Sequence, residues 1–382
     1  MTGHIRKRQT KNGITWQIIL EKGVDSKGDR IREYITVKGV KKEAERIMNE
    51  KINEYNKGIY IEPSKITVEE HLHHWIETYA KPNLSPCTVR GYLVNINKHT
   101  LPYIGSVPLQ KLIPLQVQRM FEQLQAKKLS PRTIKYIHST LREALQHAFK
   151  MQLIPRNPAD FVTLPKQTRF KAKAYEESEA VQMLEKARGT DMEAVLHLAV
   201  GLGMRRGELL ALRWQDIDFE RNQLSVRQNL VYIDGEYIFR LPKSEAGIRT
   251  IDMPSSLSVV LKKHRKKQLE YKLFYGKEYK DNDLVCCRLD GSPYNPGSFS
   301  HKFDKFLKAN GMRHIRLHDL RHTNASLMLQ YNVSPKVASQ RLGHSSIGIT
   351  MDLYTHVLGD LNADAANKID NGLFKKLVQE GT

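Results

Sequence analysis

Residues 317–323 read Leu-His-Asp-Leu-Arg-His-Thr, and this stretch guides the interpretation of the whole sequence. It places His318 three residues before Arg321. An arginine suits a phosphate, because its planar guanidinium donates two parallel hydrogen bonds and keeps its charge at any ordinary pH. A single pair of this kind is a weak signal, so its meaning depends on the residues around it.

Four further stretches extend the pattern in both directions. Downstream lie residues 342–344, Leu-Gly-His, and residues 350–356, Thr-Met-Asp-Leu-Tyr-Thr-His. Upstream lie residues 203–209, Gly-Met-Arg-Arg-Gly-Glu-Leu, and then 241–244, Leu-Pro-Lys-Ser, with Arg-Thr-Ile following at 249–251. Metal-free cleavage of a phosphodiester needs a nucleophile, cationic donors for the non-bridging oxygens and an acid for the leaving oxygen. These stretches contain residue types that can meet all three needs.

In their order and spacing the five stretches resemble the motif boxes of the tyrosine recombinase (phage integrase) family. The resemblance covers roughly the last 200 residues of the 382. It implies a site-specific DNA recombinase, with integrases of phages and conjugative transposons as the nearest kind. It also implies a multidomain, mainly α fold with a mixed α+β catalytic domain.

The resemblance implies a role for each residue that matches a box. Tyr354 would be the nucleophile that becomes linked to the 3′-phosphate of the cut strand. Arg205 and Arg321 would clamp the scissile phosphate, and Lys243 would be the general acid for the departing 5′-hydroxyl. Because these cations do what a metal does in other enzymes, we expect no cofactor.

Two histidines complete the implied site. His318 would act as a base or proton shuttle, and His344 would support the phosphate pocket. Arg205 follows Gly-x as the family pattern requires, so Arg206 is the weaker candidate of the two neighbouring arginines. Glu208 would orient the site by pairing with a buried arginine.

Other interpretations of these residues exist. A tyrosine in an amphipathic segment is most often a core residue, and the assignment of Tyr354 depends on the other boxes. Three lysines downstream of residues 241–251 are alternatives to Lys243 as the general acid: Lys262, Lys263 and Lys266. His314, His318 and His322 recur every four residues like a zinc-binding face, but no His-Glu-x-x-His pattern accompanies them and neighbouring arginines would repel a dication, so no metal is expected.

The composition supports a polyanionic partner. Lysine and arginine number 61 against 41 acidic residues, and the formal charge is +20. A field of that sign attracts nucleic acid, although solubilising surface charge gives the same composition. The three cysteines fit neither a disulfide framework nor zinc-finger spacing, and no run is apolar enough for a signal peptide or a membrane span. We therefore expect a cytoplasmic protein that binds double-stranded DNA.

The segment before the boxes divides into smaller units. Residues 1–65 are predicted to form a small α+β unit, with a hairpin from strands at 15–20 and 32–37 and a helix from about Lys41 to Tyr55. This segment has 15 basic and 9 acidic residues. It resembles an arm-type DNA-binding domain, although a charged hairpin that only resists aggregation would look similar.

Residues 66–160 are predicted to form a helical bundle that resembles the family's core-binding domain. Thr67 with Glu70 forms a capping box, and Ser85 and Ser130 each precede a proline at a helix start. His71, His73 and His74 are interpreted as surface residues. Prolines at 155, 158 and 165, followed by scattered basic residues up to Lys173, predict a linker that is assigned to 161–174. Residues 175–382 are assigned to the catalytic domain with a C-terminal tail. The family resemblance implies that this tail docks on a neighbouring subunit, but packing on its own domain is equally compatible with the sequence.

Three functions are compatible with these features. The first is an integrase that acts as a homotetramer on attachment-site DNA, assisted by a directionality factor and a DNA-bending protein. The second is a type IB topoisomerase, which would relax any plasmid regardless of sequence. The third is a DNA-binding regulator that has lost catalysis, and the presence of all five boxes argues against it.

Overall fold

The computed structural model describes residues 1–10, 13–24, 28–57, 60–167, 174–242, 245–344, 346–348, 351, 366–367 and 369–374. The chain divides into two units, Met1–Arg169 and Phe170–Thr382. Because parts of the segment 161–174 lie outside the described residues, its assignment as a linker stays a prediction.

The first unit begins with an antiparallel sheet in the order β1-β2-β3, formed by β1 (Thr2–Thr10), β2 (Gly13–Val24) and β3 (Arg30–Lys38). Helix α1 (Lys41–Asn56) packs on one face, over Ile18, Leu20 and Val37. The predicted hairpin and helix are confirmed. Strand β1 was not predicted, because its run of basic residues has no apolar alternation beyond Ile5.

A helical bundle follows in the same unit. Its helices are α2 (Val68–Trp75), α3 (Lys81–Asn83), α4 (Pro86–Val94), α5 (Leu101–Ile104), α6 (Pro114–Ala126) and α7 (Pro131–Lys150). Wider π-helical turns join α2 to α3 at Ile76–Ala80 and α4 to α5 at Asn95–Thr100. The predicted caps are confirmed: Thr67 forms a capping box with Glu70, and the hydroxyls of Ser85 and Ser130 accept backbone hydrogen bonds.

The interpretation of the histidine cluster in α2 was wrong for one member. His71 is buried, and its Nε2 donates a hydrogen bond to the carbonyl of Ala144 in α7 at 3.0 Å. His73 and His74 are exposed, as expected. A histidine is half apolar, so it can fill a core position when a backbone carbonyl takes its N–H, and the sequence pattern does not reveal such a partner.

The second unit contains α8 (Glu177–Ala187), α9 (Glu193–Leu202), α10 (Arg206–Ala211), α11 (Ser255–Tyr275), α12 (Pro296–Ala309), α13 (Asp319–Gln330) and α14 (Pro335–Leu342). Strands β4 (Ile217–Asp218), β5 (Gln223–Val226) and β8 (Arg249–Asp252) form an antiparallel sheet. Between β5 and β8 the chain makes a separate hairpin from β6 (Asn229–Ile233) and β7 (Glu236–Arg240).

In this unit the sequence predicts helices at 195–200 and 209–212 and strands at 224–226, 231–233, 237–240 and 250–253. The structure confirms these predictions. The sequence also predicts helices from about Ser256 onward, and this prediction was wrong between Tyr279 and Asn295. There the chain is irregular and pairs through isolated bridges, Arg213 with Leu284 and Cys287 with Pro293. Among the described residues, no helix is long and apolar enough to cross a bilayer.

The core of the second unit centres on α9, which is buried on nearly all sides. Seven of its ten residues are buried, so this helix is apolar around its circumference instead of amphipathic. It ends at Gly203, which adopts a left-handed conformation with φ of 61°. This sharp end of α9 directs the next residues, Met204 and Arg205, toward α13 and α14.

Candidate active site

Arg205 lies at the start of α10, directly after the left-handed turn at Gly203. Its Nη1 donates to Oε1 of Glu208 at 2.8 Å, and its Nη2 donates to the carbonyl of Gly343 at 2.7 Å. The side chain is 37% exposed. Arg205 is therefore held on two sides, and the rest of its guanidinium faces solvent.

Glu208 is the buried carboxylate on which this arrangement depends. Its side chain is 2% exposed, and it pairs with Arg249 as well as with Arg205. Burial acts to raise its pKa, but the hydrogen bonds and positive charges of the two arginines outweigh burial, so the pKa is lowered. The prediction that Glu208 pairs with a buried arginine is confirmed, since the Arg249 side chain is 7% exposed.

Arg321, in the first turn of α13, is a buried cation with unmet hydrogen-bonding capacity. The residue is 3% exposed, and its Nη1 donates to the carbonyl of Gly203 at 2.8 Å. Within the described part of the chain its Nη2 has no hydrogen-bond acceptor. Burial, followed by the positive charge of Arg205, lowers the pKa of Arg321 to about 9. A buried cation in this state favours an anion as its partner.

His344 stands just after Gly343, the left-handed residue that ends α14. Desolvation lowers the pKa of His344 to about 4, and the charges of Arg321 and Arg205 act in the same direction. The imidazole is therefore neutral at neutral pH. The structure thus brings Arg205, Arg321 and His344 together, although Arg205 precedes the other two by more than a hundred residues in sequence.

His318 lies at the N-terminal end of α13, one turn before His322, and the two rings meet edge to face with centroids 5.5 Å apart. Although its ring is partly exposed, desolvation lowers the pKa of His318 to about 4, with His322 as the next cause. Together with Arg205 and Arg316, His318 lines a cleft of about 560 Å³.

Lys243 and Tyr354 lie outside the described residues, so their assignments stay predictions. Two residues that belong to the surroundings of the site were missed by sequence reasoning. Arg249 was noted only as part of a motif, and His322 only as a possible metal ligand. A spacing pattern cannot show that Arg249 is buried against Glu208, because that contact spans 41 residues.

The assembled site is a pocket of positive potential next to neutral imidazoles. Arg205 and Arg249 pair with the buried carboxylate of Glu208, and the charge of the same carboxylate acts on Arg321. Three guanidiniums therefore face one carboxylate. Guanidiniums arranged in this way can bind a phosphate and stabilise the additional charge that develops when the phosphorus is attacked. Neutral imidazoles can move protons at the same place.

The chain resembles known proteins over most of its length. Residues 173–359 match the model of the phage integrase family, and residues 67–125 match the N-terminal SAM-like domain of phage integrases. A tyrosine recombinase XerC-like protein of Caldanaerobacter subterraneus subsp. tengcongensis is 30% identical, over 95% of this chain and 98% of the relative. The ICEBs1 integrase of Bacillus subtilis is 27% identical, over 72% of this chain and 75% of that protein.

Solved structures show the same fold. The Tn1549 transposon integrase in complex with transposon right-end DNA superposes with a TM-score of 0.68 at 20% identity, over 79% of this chain and 98% of the other. A lambda integrase tetramer bound to a Holliday junction gives a TM-score of 0.59 at 19% identity, over 92% and 94% of the two chains.

These findings establish that the chain belongs to the phage integrase family of tyrosine recombinases. It is a site-specific DNA recombinase of the integrase type, an enzyme that cuts and rejoins double-stranded DNA. The resemblance predicted from the five sequence boxes is confirmed.

Proposed function

We propose that Tyr354 performs the strand cleavage. Its phenolic oxygen attacks the scissile phosphorus, a bond forms between that oxygen and phosphorus, and the bond from phosphorus to the 5′-oxygen breaks. The phenol loses its proton and the leaving 5′-oxygen gains one. The cut strand is left joined to the enzyme through a 3′-phosphotyrosyl bond, and attack by a new 5′-hydroxyl reverses the reaction with a different strand.

Arg205 and Arg321 hold the phosphate during this exchange. The observation that carries this proposal is the buried Nη2 of Arg321, which finds no acceptor among the described residues and lies near enough to Arg205 for that residue's charge to lower the pKa of Arg321. A phosphate oxygen would supply the missing acceptor. Donors that are already in place cost no reorganisation when charge develops on the phosphate, and this is the main source of their catalytic effect.

Lys243 donates the proton to the 5′-oxygen, His318 accepts or relays the proton of the phenol, and His344 supports the phosphate. The lowered pKa values of His318 and His344 support these roles, because an imidazole must be neutral before it can accept a proton. The resident cations supply the positive charge for this mechanism, which uses no metal.

The domain assignments form part of the proposal: an arm-type domain at 1–65, a core-binding domain at 66–160, a linker at 161–174 and a catalytic domain with its tail at 175–382. The sheet face opposite α1 supports the first assignment. In the strand register, Arg6 aligns with Gln17 and Thr36, and Arg8 aligns with Thr15 and Lys38. Arg6, Arg8 and Lys38 are exposed in these rows, whereas Gln17 and Thr15 are buried between them. The exposed basic side chains suit contact with a DNA groove.

We further propose that four copies act together on paired attachment sites, with a directionality factor and a DNA-bending protein as partners. The lambda integrase structure on a Holliday junction is described as a tetramer, which supports this number. The cytoplasm, which holds the DNA of a mobile element and its host, is the compartment of action.

The experiment uses a duplex that carries the attachment core of the element and has a nick just beyond the cleavage site. Cleavage then releases a short fragment with the 5′-hydroxyl, which diffuses away. Religation cannot occur, and the covalent complex accumulates. The wild-type protein should form the complex, and Tyr354→Phe should bind the duplex without forming it. Tyr331→Phe is the matched control, because Tyr331 is exposed and lies outside the boxes. Cleavage by Tyr354→Phe would overturn the proposed nucleophile.

A further inference from the structure

Arg249, the first residue of β8, donates several hydrogen bonds within the site, although no function has been assigned to it. Its Nη2 donates to Oε2 of Glu208 at 2.9 Å, and its Nη1 donates to Oε1 of the same carboxylate at 3.3 Å. Its Nε donates to the carbonyl of Arg341 at 2.8 Å. The side chain is 7% exposed, so it does not face the DNA as the side chain of Arg205 does.

These contacts complete a closed ring of interactions around the phosphate pocket. Glu208 binds Arg205, Arg205 binds the carbonyl of Gly343, and the main chain from Gly343 back to Arg341 returns to Arg249. The ring joins the start of α10 to the end of α14, which lie 138 residues apart in sequence at the Arg205–Gly343 contact. It therefore connects the element that presents Arg205 to the turn that presents His344.

The packing around Gly343 shows how closely this ring is fitted. A Cβ atom at Gly343 would come within 3.0 Å of Cδ of Arg249 and within 2.6 Å of the carbonyl oxygen of Ala246. The stem of Arg249 thus lies directly against the turn before His344. A change in the position of this side chain would move the turn, and with it the acceptor that orients Arg205.

We propose that Arg249 is a positioning residue, which holds Arg205 and the Gly343–His344 turn in the geometry that grips the scissile phosphate. It acts through Glu208 and the carbonyl of Arg341 and does not touch DNA. The proposal rests on the proposed role of Arg205 as a phosphate clamp. A purely structural ion pair is the competing interpretation, since removal of one partner of a buried pair destabilises a protein whatever its function.

Arg249→Lys separates these interpretations. Lysine keeps the positive charge beside Glu208, but it cannot donate to the carboxylate and to the carbonyl of Arg341 with the same fixed fork. We expect single-turnover cleavage of the nicked attachment-core duplex to fall about 100-fold, the loss typical of a displaced catalytic group. Arg213→Lys is the matched control, because Arg213 forms a comparable pair with the buried carboxylate of Asp216. That control should cleave at the wild-type rate.

The decisive readout compares two substrates, one with a normal scissile phosphate and one with a neutral methylphosphonate at that position. A neutral phosphorus centre has less need of a charged clamp. The fold loss of cleavage rate that Arg205→Ala causes should therefore be at least ten times smaller on the methylphosphonate than on the phosphate. If Arg249 acts by positioning Arg205, Arg249→Lys should likewise cause a smaller fold loss of cleavage rate on the methylphosphonate than on the phosphate. The double variant should be no slower than Arg205→Ala alone, since residues that act as a unit are not additive.

Each outcome has one meaning. An equal loss on both substrates, or an additional loss in the double variant, would reject the positioning role and leave Arg249 as a structural ion pair. An Arg205→Ala variant that cleaves the phosphate normally would instead reject the proposed clamp. If Arg249→Lys is unfolded at the assay temperature, the same comparison between substrates is made at a lower temperature at which circular dichroism shows that the variant is folded.

Discussion

Arg321 combines two properties that a protein rarely tolerates together, a buried positive charge and an N–H group without an acceptor among the described residues. Each property costs free energy in the folded enzyme, because water no longer solvates the group. The cost makes sense if the enzyme keeps the group ready for a phosphate, since a site that is already arranged does not have to be rebuilt during the reaction.

This cost can be measured with Arg321→Met, which fills a similar volume without charge. We expect cleavage to fall by about 100- to 1000-fold, as when one preorganised donor is lost. The free energy of unfolding should not decrease, because the variant removes a buried charge whose Nη2 has no acceptor in the described part of the chain. Single-turnover cleavage and urea denaturation test both parts, and a variant that is both active and less stable would show that Arg321 is a structural residue.

Gly203 provides a second test at the scale of one residue. A Cβ atom there would lie 2.4 Å from Cδ2 of Leu342 and 2.6 Å from Oδ1 of Asn324, and the residue has a φ of 61°. Gly203→Ala should therefore destabilise the protein by about 2–4 kcal/mol, the sum of backbone strain and overpacking.

Gly189→Ala is the control for that change. Gly189 also has a positive φ, of 77°, but a Cβ atom there would meet nothing within 4 Å. Gly189→Ala should lower the free energy of unfolding by about 1 kcal/mol, from backbone strain alone. Equal losses at the two glycines in urea denaturation would show that the contacts with α13 and α14 are not as close as described.

At this scale the sequence predicted the candidate catalytic side chains better than the residues that support them. Arg205, Arg321 and His344 stand in motif boxes, and the structure brings them together. Arg249 was missed as a support because its partners, Glu208 and the carbonyl of Arg341, become neighbours only after folding.

At the scale of elements, the start of α13 and the end of α14 present histidines that the fold keeps neutral. The pKa values of His318 and His344 are lowered to about 4, chiefly by desolvation, from an ordinary value near 6.5. The unfolded chain therefore binds more protons than the folded chain between about pH 4 and 6.5. Stability must rise with pH across this window and fall as the pH drops through it.

The variant His344→Gln tests this pH dependence. Because glutamine does not titrate, the increase in the free energy of unfolding between pH 4.5 and 7 should be smaller in the variant than in the wild-type protein. His73→Gln is the control, since His73 is exposed and lies in the other unit. A slope for His344→Gln that equals the wild-type slope would contradict the neutral state of His344.

Elements were predicted where apolar residues recur with a clear period. Helix α7 is an example, because Ile134, Ile137 and Leu141 mark its buried face. Strand β1 was missed because it lies at the edge of its sheet and carries basic residues on the face opposite α1. The irregular segment from Tyr279 to Asn295 was missed because its order comes from bridges to residues far away in sequence, such as Arg213.

At the scale of the whole molecule, the net charge of +20 predicts that DNA affinity falls steeply with salt. The sheet face with Arg6 and Arg8 should contribute to this dependence. We expect Arg6→Ala/Arg8→Ala to reduce the slope of log affinity against log salt by about 2, one for each lost phosphate contact. Covalent cleavage of a short core duplex should remain at the wild-type level, because that duplex contains no arm site.

Lys41→Ala/Arg46→Ala is the control for the sheet face. These cations lie on α1, on the other side of the sheet, and pair with Glu45, Glu43 and Glu50. The control should leave the salt slope for DNA that contains arm sites unchanged. If it lowers the slope as much as the sheet variant does, the sheet face has no special role and DNA attraction is a property of the net charge.

The most direct test of the proposed chemistry identifies the residue that carries the DNA. The covalent complex with the nicked duplex is digested with nuclease and trypsin, and the peptide that retains a nucleotide is sequenced by mass spectrometry. Trypsin releases the segment from Leu342 to Lys368, in which Tyr354 is the single tyrosine. We predict that the nucleotide is attached to Tyr354, and attachment to any other residue would contradict the assignment of the nucleophile.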